Sequence, residues 1–204
     1  MIKILSYGSG NVKAIANIYK ELNVPFDIAN GDEQLRGASK LVIPGVGAFD
    51  QTMTLLERSG MLDELNSLVL ERNVPVLGVC VGMQVMAATS EEGTRNGLGW
   101  IDGRVVRIDT SQLNLKPLLP HMGWNTIQPK QKTPLFDDVD FSTGFYFLHS
   151  YRFECASEAN VLATTDYGGE VAAAVCSGNI YGFQFHPEKS HRNGINLFRN
   201  FAAL

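Results

Sequence analysis

The sequence contains few cysteines, no long apolar run and no large excess of charge, and each absence excludes a class of protein. Three cysteines among 204 residues are an odd number without close spacing, so we expect neither a disulfide framework nor a zinc knuckle. No apolar run approaches the roughly 20 residues of a membrane-spanning helix. A net charge of −4 gives no reason to expect nucleic acid or an anionic membrane as a partner.

The first ten residues, MIKILSYGSG, also lack the features of a signal peptide. No charged segment precedes a long apolar stretch, and glycine occurs by Gly8. We therefore expect a first strand here and a cytoplasmic protein, with residues 1–204 forming one domain. His121 and His191 have no Asp, Glu or Cys at metal-ligand spacing, so we expect no metal, and nothing indicates a cofactor.

The chain alternates between strand and helix patterns over its first ninety residues. Continuously apolar runs at 2–7, 25–29, 40–45 and 74–79 predict strands that are buried on both faces. Between them, helical spacing predicts helices after Asn11, over 49–71 with a break near Gly60, and after residue 81. The second half contains short strand patterns and a last helix over 194–201. The fold class predicted is α/β, a single-domain three-layer α/β/α structure with a mostly parallel central sheet and an antiparallel section in the C-terminal half.

Cys80 lies between a predicted strand and a predicted helix, in the pattern Gly78-Val79-Cys80-Val81-Gly82. This is the cysteine form of the nucleophile elbow, a tight turn that exposes a reactive side chain at the carboxyl end of a sheet. The following helix would favour the thiolate, and the N–H of Val81 would face an oxyanion formed on an attacked carbonyl. A buried structural cysteine is the alternative interpretation.

Two further segments supply what a thiolate nucleophile needs. In GFQFHPEKS, His186 and Glu188 stand two residues apart, so an extended chain would place both side chains on one face as a base and its orienting acid. In VIPGVGAFD, the Gly45-Val46-Gly47 loop follows the third strand and offers backbone N–H groups as the other half of an oxyanion hole. Taken alone, the first segment is better explained as a strand-end histidine with a solvated glutamate, and the second as a plain strand-to-helix turn.

Together, the elbow cysteine, PGVG and HPE resemble the class I (triad) glutamine amidotransferases. The resemblance runs over the whole chain, and six shorter strings resemble one branch, the HisH glutaminase subunits of imidazole glycerol phosphate synthase. These strings are YGSGN, SEEG, PHMGWN, FYFLHSY, LATTDYG and FQFHPEKS.

The resemblance implies a role for each matching residue. Cys80, His186 and Glu188 would form the triad that hydrolyses L-glutamine through a thioester, and Gly45, Val46, Gly47 and Val81 would form the oxyanion hole after a peptide rearrangement in the 45–47 strand. The residues implied to bind glutamine are Gln84, Glu92, His149, Ser150 and Tyr151. The implied partner is a HisF-like (β/α)8 barrel cyclase subunit that receives ammonia through a channel, and the residues facing it would be Trp124, Tyr146 and Lys189.

Three alternatives remain open at this point. Ser6, Arg152, Phe153 and the His191-Arg192 pair depart from the branch pattern, and HisH-like relatives are thought to supply ammonia for acetamidino sugars of surface polysaccharides. A cysteine hydrolase or peptidase of similar fold is the second alternative, although it would not need a pocket for free glutamine. The third is a binding module without catalysis, which an intact Cys80, His186 and Glu188 disfavours.

Overall fold

The computed structural model describes residues 1–113 and 118–204. Its first half alternates strands and helices, as the apolar runs predict. The elements are β1 Ile2–Leu5, α1 Val12–Glu21, β2 Phe26–Ala29, α2 Asp32–Leu35, β3 Lys40–Gly45, α3 Phe49–Arg58, α4 Leu62–Asn66, β4 Val76–Cys80 and α5 Val81–Gln84. The predicted helix over 49–71 is interrupted at Gly60, whose φ of +72° favours glycine, and it ends in a π-helical turn, Ser67–Glu71.

The second half contains the short strands expected there. The elements are β5 Thr89–Ser90, β6 Gly103–Arg107, β7 His121–Asn125, β8 Gln128–Pro129, β9 Phe145–His149, β10 Tyr151–Cys155, β11 Val161–Asp166, β12 Glu170–Ser177, β13 Ile180–Phe183 and α6 His191–Ala203. Short 3-10 turns lie at Pro134–Phe136, Glu158–Asn160 and Pro187–Lys189. The segment FYFLHSY is divided between two strands that separate at Ser150, because β9 pairs with β7 whereas β10 pairs with β6.

An eight-stranded sheet in the order β2-β1-β3-β4-β13-β12-β11-β8 forms the centre of the molecule. The five strands from β2 to β13 are parallel, and β12, β11 and β8 extend the sheet antiparallel. This confirms the predicted α/β class with its mostly parallel sheet and antiparallel section. Two smaller sheets, β10-β6-β5 and β7-β9, lie outside the central one.

The strand order determines where the helices lie. Parallel crossovers are right-handed, so the connection from β1 outward to β2 puts α1 on one face, and the return from β2 to β3 puts α2 on the other. Helix α6 contacts α1, and α4 contacts α2. The central parallel strand β4 is apolar throughout, and every one of its residues is buried. No helix in the two described ranges has the length and apolar character needed to cross a membrane.

Candidate active site

Cys80 lies at the carboxyl end of β4 in a strained backbone conformation. Its φ of 55° and ψ of −113° are unusual for a residue with a Cβ, and such strain is concentrated at functional sites. The turn is also tightly packed: a Cβ on Gly82 would lie 2.0 Å from the carbonyl oxygen of Ile43, and one on Gly45 would lie 2.3 Å from the backbone nitrogen of Gly82. The glycines therefore let the elbow contact the end of β3, as a nucleophile elbow requires.

The predicted helix after Cys80 is wrong in length, because α5 is a single turn. The carbonyl groups of residues 85–88, which a longer helix would use, instead accept hydrogen bonds from the N–H groups of residues 97–101. A one-turn helix contributes little dipole, so the argument that a helix end stabilises the thiolate loses most of its weight. Val81 still begins the turn, and its N–H is among those that have no acceptor within the helix.

His186 and Glu188 form a buried hydrogen-bonded pair beside Cys80. His186 Nδ1 lies 2.9 Å from Glu188 Oε1, and the two side chains are 3% and 1% exposed. Burial alone would lower the pKa of His186, but hydrogen bonds and charges from Cys80 and Glu188 outweigh it and raise the pKa to about 10. Burial likewise opposes ionisation of Glu188, yet the contact with His186 holds the pKa of this carboxyl below its usual value. The geometry therefore favours a protonated imidazole between the Glu188 carboxylate and the Cys80 sulfur.

His186 and Glu188 come into contact through a different backbone conformation from the extended chain that was predicted. His186 is extended, as expected before Pro187, but Glu188 lies in the 3-10 turn that follows rather than on a strand. The turn brings the carboxylate back to the imidazole Nδ1, so Nε2 remains available toward the cysteine.

Asn11 belongs to this network, a role that the sequence pattern did not predict. It occupies the N-cap position of α1, where the helix is predicted to begin, yet its side chain makes no capping hydrogen bond to α1. Instead Asn11 Nδ2 donates to Glu188 Oε1 at 2.7 Å, across 177 residues of sequence. The same carboxylate oxygen thus accepts from both Asn11 and His186. No local signal distinguishes this use of an asparagine from capping.

The loop predicted to complete an oxyanion hole is held by Ser9. Ser9 Oγ accepts from the N–H of Val46 at 2.9 Å and donates to the carbonyl of Val46 at 2.8 Å. Gly10 permits this approach, because a Cβ there would lie 2.4 Å from Pro44 Cβ. The Val46 N–H is therefore already satisfied and does not face the cysteine as a free donor. Gly47, with φ +105°, lies at the next position, where the backbone can turn.

A cavity of about 290 Å3 opens beside Cys80. Its lining includes nearly every residue that the sequence predicted to contact substrate. The lining residues are Val46, Gly47, Cys80, Val81, Gln84, Glu92, Pro120, Leu148, His149, Ser150, Tyr151 and His186. Gly45, the last residue of β3, and Glu188, which contacts Nδ1 of His186, do not line the cavity.

Two of the residues predicted to bind substrate already have hydrogen-bond partners within the protein. Gln84 Nε2 donates to the Tyr151 carbonyl and to Gln184 Oε1, each at 3.0 Å, which leaves the Gln84 Oε1 as its free polar atom. Glu92 Oε2 accepts from the N–H of Phe49 at 2.9 Å, at the start of α3. Its other carboxylate oxygen remains as an anionic contact for an ammonium group.

Gln184 is a second residue of the site that the sequence pattern did not identify, because its place in an alternating strand pattern predicts no special role. It is fully buried, and its Nε2 lies 3.9 Å from Cys80 Sγ as a donor. Because Gln184 Oε1 also accepts from Gln84, one amide connects the nucleophile to the cavity wall.

Trp124, Tyr146 and Lys189 form an aromatic and cationic cluster next to His186. The rings of Trp124 and Tyr146 meet edge to face at 5.9 Å, and Lys189 Nζ lies 5.2 Å from the Tyr146 ring centroid. Trp124 is half exposed, and its ring stacks on His191 at 4.9 Å. The Tyr146 carbonyl accepts from the N–H of His186, so the cluster is continuous with this histidine.

Comparisons with known proteins agree on one family. The family model described as "Glutamine amidotransferase class-I" matches residues 3–203. The chain is 47% identical over 204 residues to "Imidazole glycerol phosphate synthase subunit HisH" of Leptospira borgpetersenii and 48% identical over 204 residues to the protein of that name from Bdellovibrio bacteriovorus. Each alignment covers all of both chains.

Solved structures support the fold. A putative GMP synthase protein from Thermoplasma acidophilum superimposes with a TM-score of 0.73 at 20% identity, covering 99% of this chain and 92% of that one. PurLQS from Thermotoga maritima gives a TM-score of 0.73 at 18% identity, with 99% and 97% covered. The match over residues 3–203 and the full-length relatives confirm the resemblance drawn from the motifs: the chain belongs to the class I glutamine amidotransferases, within the HisH branch.

Proposed function

We propose that this chain, as a single domain, is the glutaminase subunit of an imidazole glycerol phosphate synthase and acts in histidine biosynthesis. The observation that carries the proposal is the convergence on one cavity of the elbow cysteine and the His186–Glu188 pair. Glutaminase activity is the function of this enzyme family, and the full-length relatives are named as synthase subunits. We place the protein in the cytoplasm, where reducing conditions keep Cys80 out of disulfides.

The arrangement supports a two-step hydrolysis. Cys80 Sγ attacks the side-chain amide carbon of glutamine, and the resulting oxyanion accepts a hydrogen bond from the Val81 N–H. His186 donates its proton to the leaving nitrogen, so the C–N bond breaks and ammonia and a γ-glutamyl thioester form. His186 then removes a proton from water, which attacks the thioester and releases glutamate and the Cys80 sulfur. Glu188 stabilises the imidazolium throughout.

Substrate recognition follows from the cavity's remaining polar atoms. The free oxygen of Glu92 is suited to the α-ammonium of glutamine, and Gln84 Oε1 is a second acceptor. Ser150 and Tyr151 also line the cavity. Such a cavity suits a small zwitterionic amino acid better than an extended peptide.

We propose the surface of Trp124, Tyr146 and Lys189 as the docking site of a HisF-like (β/α)8 barrel cyclase subunit in a heterodimer. Exposed Met122 and Leu148 adjoin it and enlarge the apolar area available for burial. Docking beside His186 would let ammonia pass directly into the partner, which avoids protonation to ammonium in water.

The experiment that tests this function measures glutamate release by the purified chain alone, then in the presence of a histidine-pathway cyclase together with its ribonucleotide ligand. We expect strong activation. In parallel, a thiol-reactive glutamine analogue should label Cys80, as peptide mapping would show. Cys155 and Cys176 are internal controls that should stay unlabelled, because burial raises the pKa of both thiols to about 11.

Other outcomes separate the alternatives. Labelling of Cys80 without activation by the cyclase would point to a different ammonia acceptor, such as an acetamidino-sugar synthase. Hydrolysis of peptides in preference to free glutamine would favour a peptidase. No labelling and no glutamate release would refute the glutaminase function.

Ser9→Ala is expected to raise the glutaminase activity of the isolated chain several-fold. The substitution removes both hydrogen bonds that hold the Val46 peptide, so the Val46 N–H becomes free to turn toward the oxyanion. The same loss should lower the free energy of unfolding by about 1 kcal/mol. Steady-state kinetics without partner and urea denaturation measure the two effects, with Ser111→Ala, on an exposed turn, as control. Reduced activity in Ser9→Ala would instead mean that Ser9 maintains the active loop conformation.

A further inference from the structure

His121 and His149 form a buried pair behind the cavity. They face each other across the antiparallel strands β7 and β9, and both are less than 10% exposed. His121 Nδ1 lies 3.1 Å from His149 Nε2. Only His149 reaches the cavity, so the contribution of His121 to the site must pass through this contact.

The position of each proton along the pair follows from its neighbours. His149 Nδ1 lies 2.8 Å from the Tyr151 carbonyl, which can only accept, so this nitrogen carries the hydrogen. Burial lowers the pKa of His149 to about 3 and that of His121 to about 4, so both rings are neutral near pH 7. His149 Nε2 must then accept from His121 Nδ1, and His121 Nε2 accepts from Asn125 Nδ2 at 3.2 Å. Both rings therefore have the Nδ1–H tautomer.

Aromatic stacking fixes the plane of the His121 ring. Phe147 lies on it at 4.6 Å with an interplanar angle of 16°, and Tyr167 lies on it at 3.9 Å with an angle of 18°. Between two parallel rings the imidazole cannot tilt, so its nitrogens remain directed at His149 and Asn125. The side chain of Asn125 is fixed in turn, because its Nδ2 also donates to the Asp166 carbonyl at 2.9 Å.

The chain of hydrogen bonds ends on a carbonyl that belongs to the cavity wall. The Tyr151 carbonyl accepts from both His149 Nδ1 and Gln84 Nε2, which joins the two sides of the cavity. If His121 did not supply a proton to His149 Nε2, the His149 ring could take the other tautomer and its bond to Tyr151 would be lost.

We propose that His121 is a positioning residue for the glutamine cavity, which it controls by fixing the tautomer of His149 and thereby the wall formed by residues 149–151. This inference rests on the proposed function, because only that function identifies the cavity as the glutamine-binding site. Because the wall contacts substrate whereas Cys80 and His186 perform the bond changes, loss of the His121 donor should raise the KM for glutamine and spare kcat.

Two substitutions at His121 separate donation from packing. In His121→Asn, the side-chain amide nitrogen can occupy the position of Nδ1 and donate to His149. In His121→Gln, the amide oxygen can occupy the position of Nε2 and accept from Asn125. The glutamine variant therefore leaves His149 Nε2 without a hydrogen-bond donor. Both variants lose the same stacking interactions. We expect His121→Gln to raise the KM about tenfold with kcat within threefold of wild type, and His121→Asn to keep KM within threefold. Equal KM values in the two variants, or a fall in kcat alone, would overturn the proposal.

A measurement on the unmodified chain covers the case in which the variants do not fold. Nitrogen-15 spectra of histidine-labelled protein distinguish the two neutral tautomers, and we expect Nδ1–H for both His121 and His149. Finding Nε2–H on either ring would overturn the proposal. If the wild-type protein releases no glutamate under any condition, the proposed glutaminase function is refuted. The tautomer measurement still tests the hydrogen bonds between His121, His149 and Tyr151, because it does not depend on activity.

Discussion

Replacing Cys80 by glycine is expected to lower kcat for glutamine hydrolysis by at least about 10⁴-fold and yet to stabilise the protein. The activity is lost because no other group in the cavity can form the thioester. Stability rises because glycine adopts φ 55°, ψ −113° without the strain that a Cβ causes, on the order of 1–3 kcal/mol.

The matched control is Cys80→Ala, which removes the sulfur but keeps the Cβ. We expect equal loss of activity in both variants and a melting temperature for the glycine variant that is about 2–12 °C above that of the alanine variant. Thermal denaturation followed by circular dichroism measures the difference. If the two variants melt together, the elbow stores no strain and its backbone conformation needs another explanation.

Glu188→Gln should lower kcat by about 10³-fold, because the amide keeps the shape of the carboxylate but removes its charge. Glu188 Oε1 accepts from both His186 and Asn11, so an amide oxygen can preserve both hydrogen bonds. Only the electrostatic stabilisation of the imidazolium is lost. The exposed Glu33→Gln is the control and should leave kcat unchanged.

The pH dependence of this variant tests the cause. In the wild type, Cys80 and Glu188 raise the pKa of His186 from 6.5 to about 10, so the pair contributes stability that is complete below pH 6.5 and is lost as the pH rises toward 10. Without the Glu188 charge the folded-state pKa falls. We therefore expect the alkaline limb of the kcat/KM profile to move to lower pH, and the free energy of unfolding to vary less between pH 6.5 and 10. An unchanged alkaline limb would mean that Glu188 does not set the protonation of His186.

The central sheet could be predicted because its signal is local. The segment KLVIPG is a continuous apolar run ended by glycine, and β3 spans these same six residues. The elbow was equally visible, since Gly78 and Gly82 are required by close packing around Cys80. The helix after Cys80 was mispredicted because its apolar spacing is real, but the carbonyl groups of 85–88 pair with a loop a dozen residues away.

Site residues within or next to a recognisable motif could be predicted from the sequence. Site residues that act by hydrogen-bonding to a segment distant in sequence could not. Ser9 and Asn11 lie in a glycine-rich turn that predicts only a strand-to-helix connection, yet they contact Val46 and Glu188. His121 looked like an isolated histidine, because its partner His149 is 28 residues away. Hydrogen bonds between distant segments leave no periodicity in a single sequence.

The contact between Asn11 and Glu188 has a consequence for synthesis of the protein on the ribosome. Strands β1 to β4, with the thiol at their end, emerge within the first 80 residues, whereas His186 and Glu188 emerge more than a hundred residues later. Chains fold from the amino terminus as they are made, so a nascent or prematurely terminated chain can form the elbow without a base beside it. With the proposed roles of His186 and Glu188, such a fragment cannot hydrolyse glutamine, and ammonia forms only in molecules whose two ends have met.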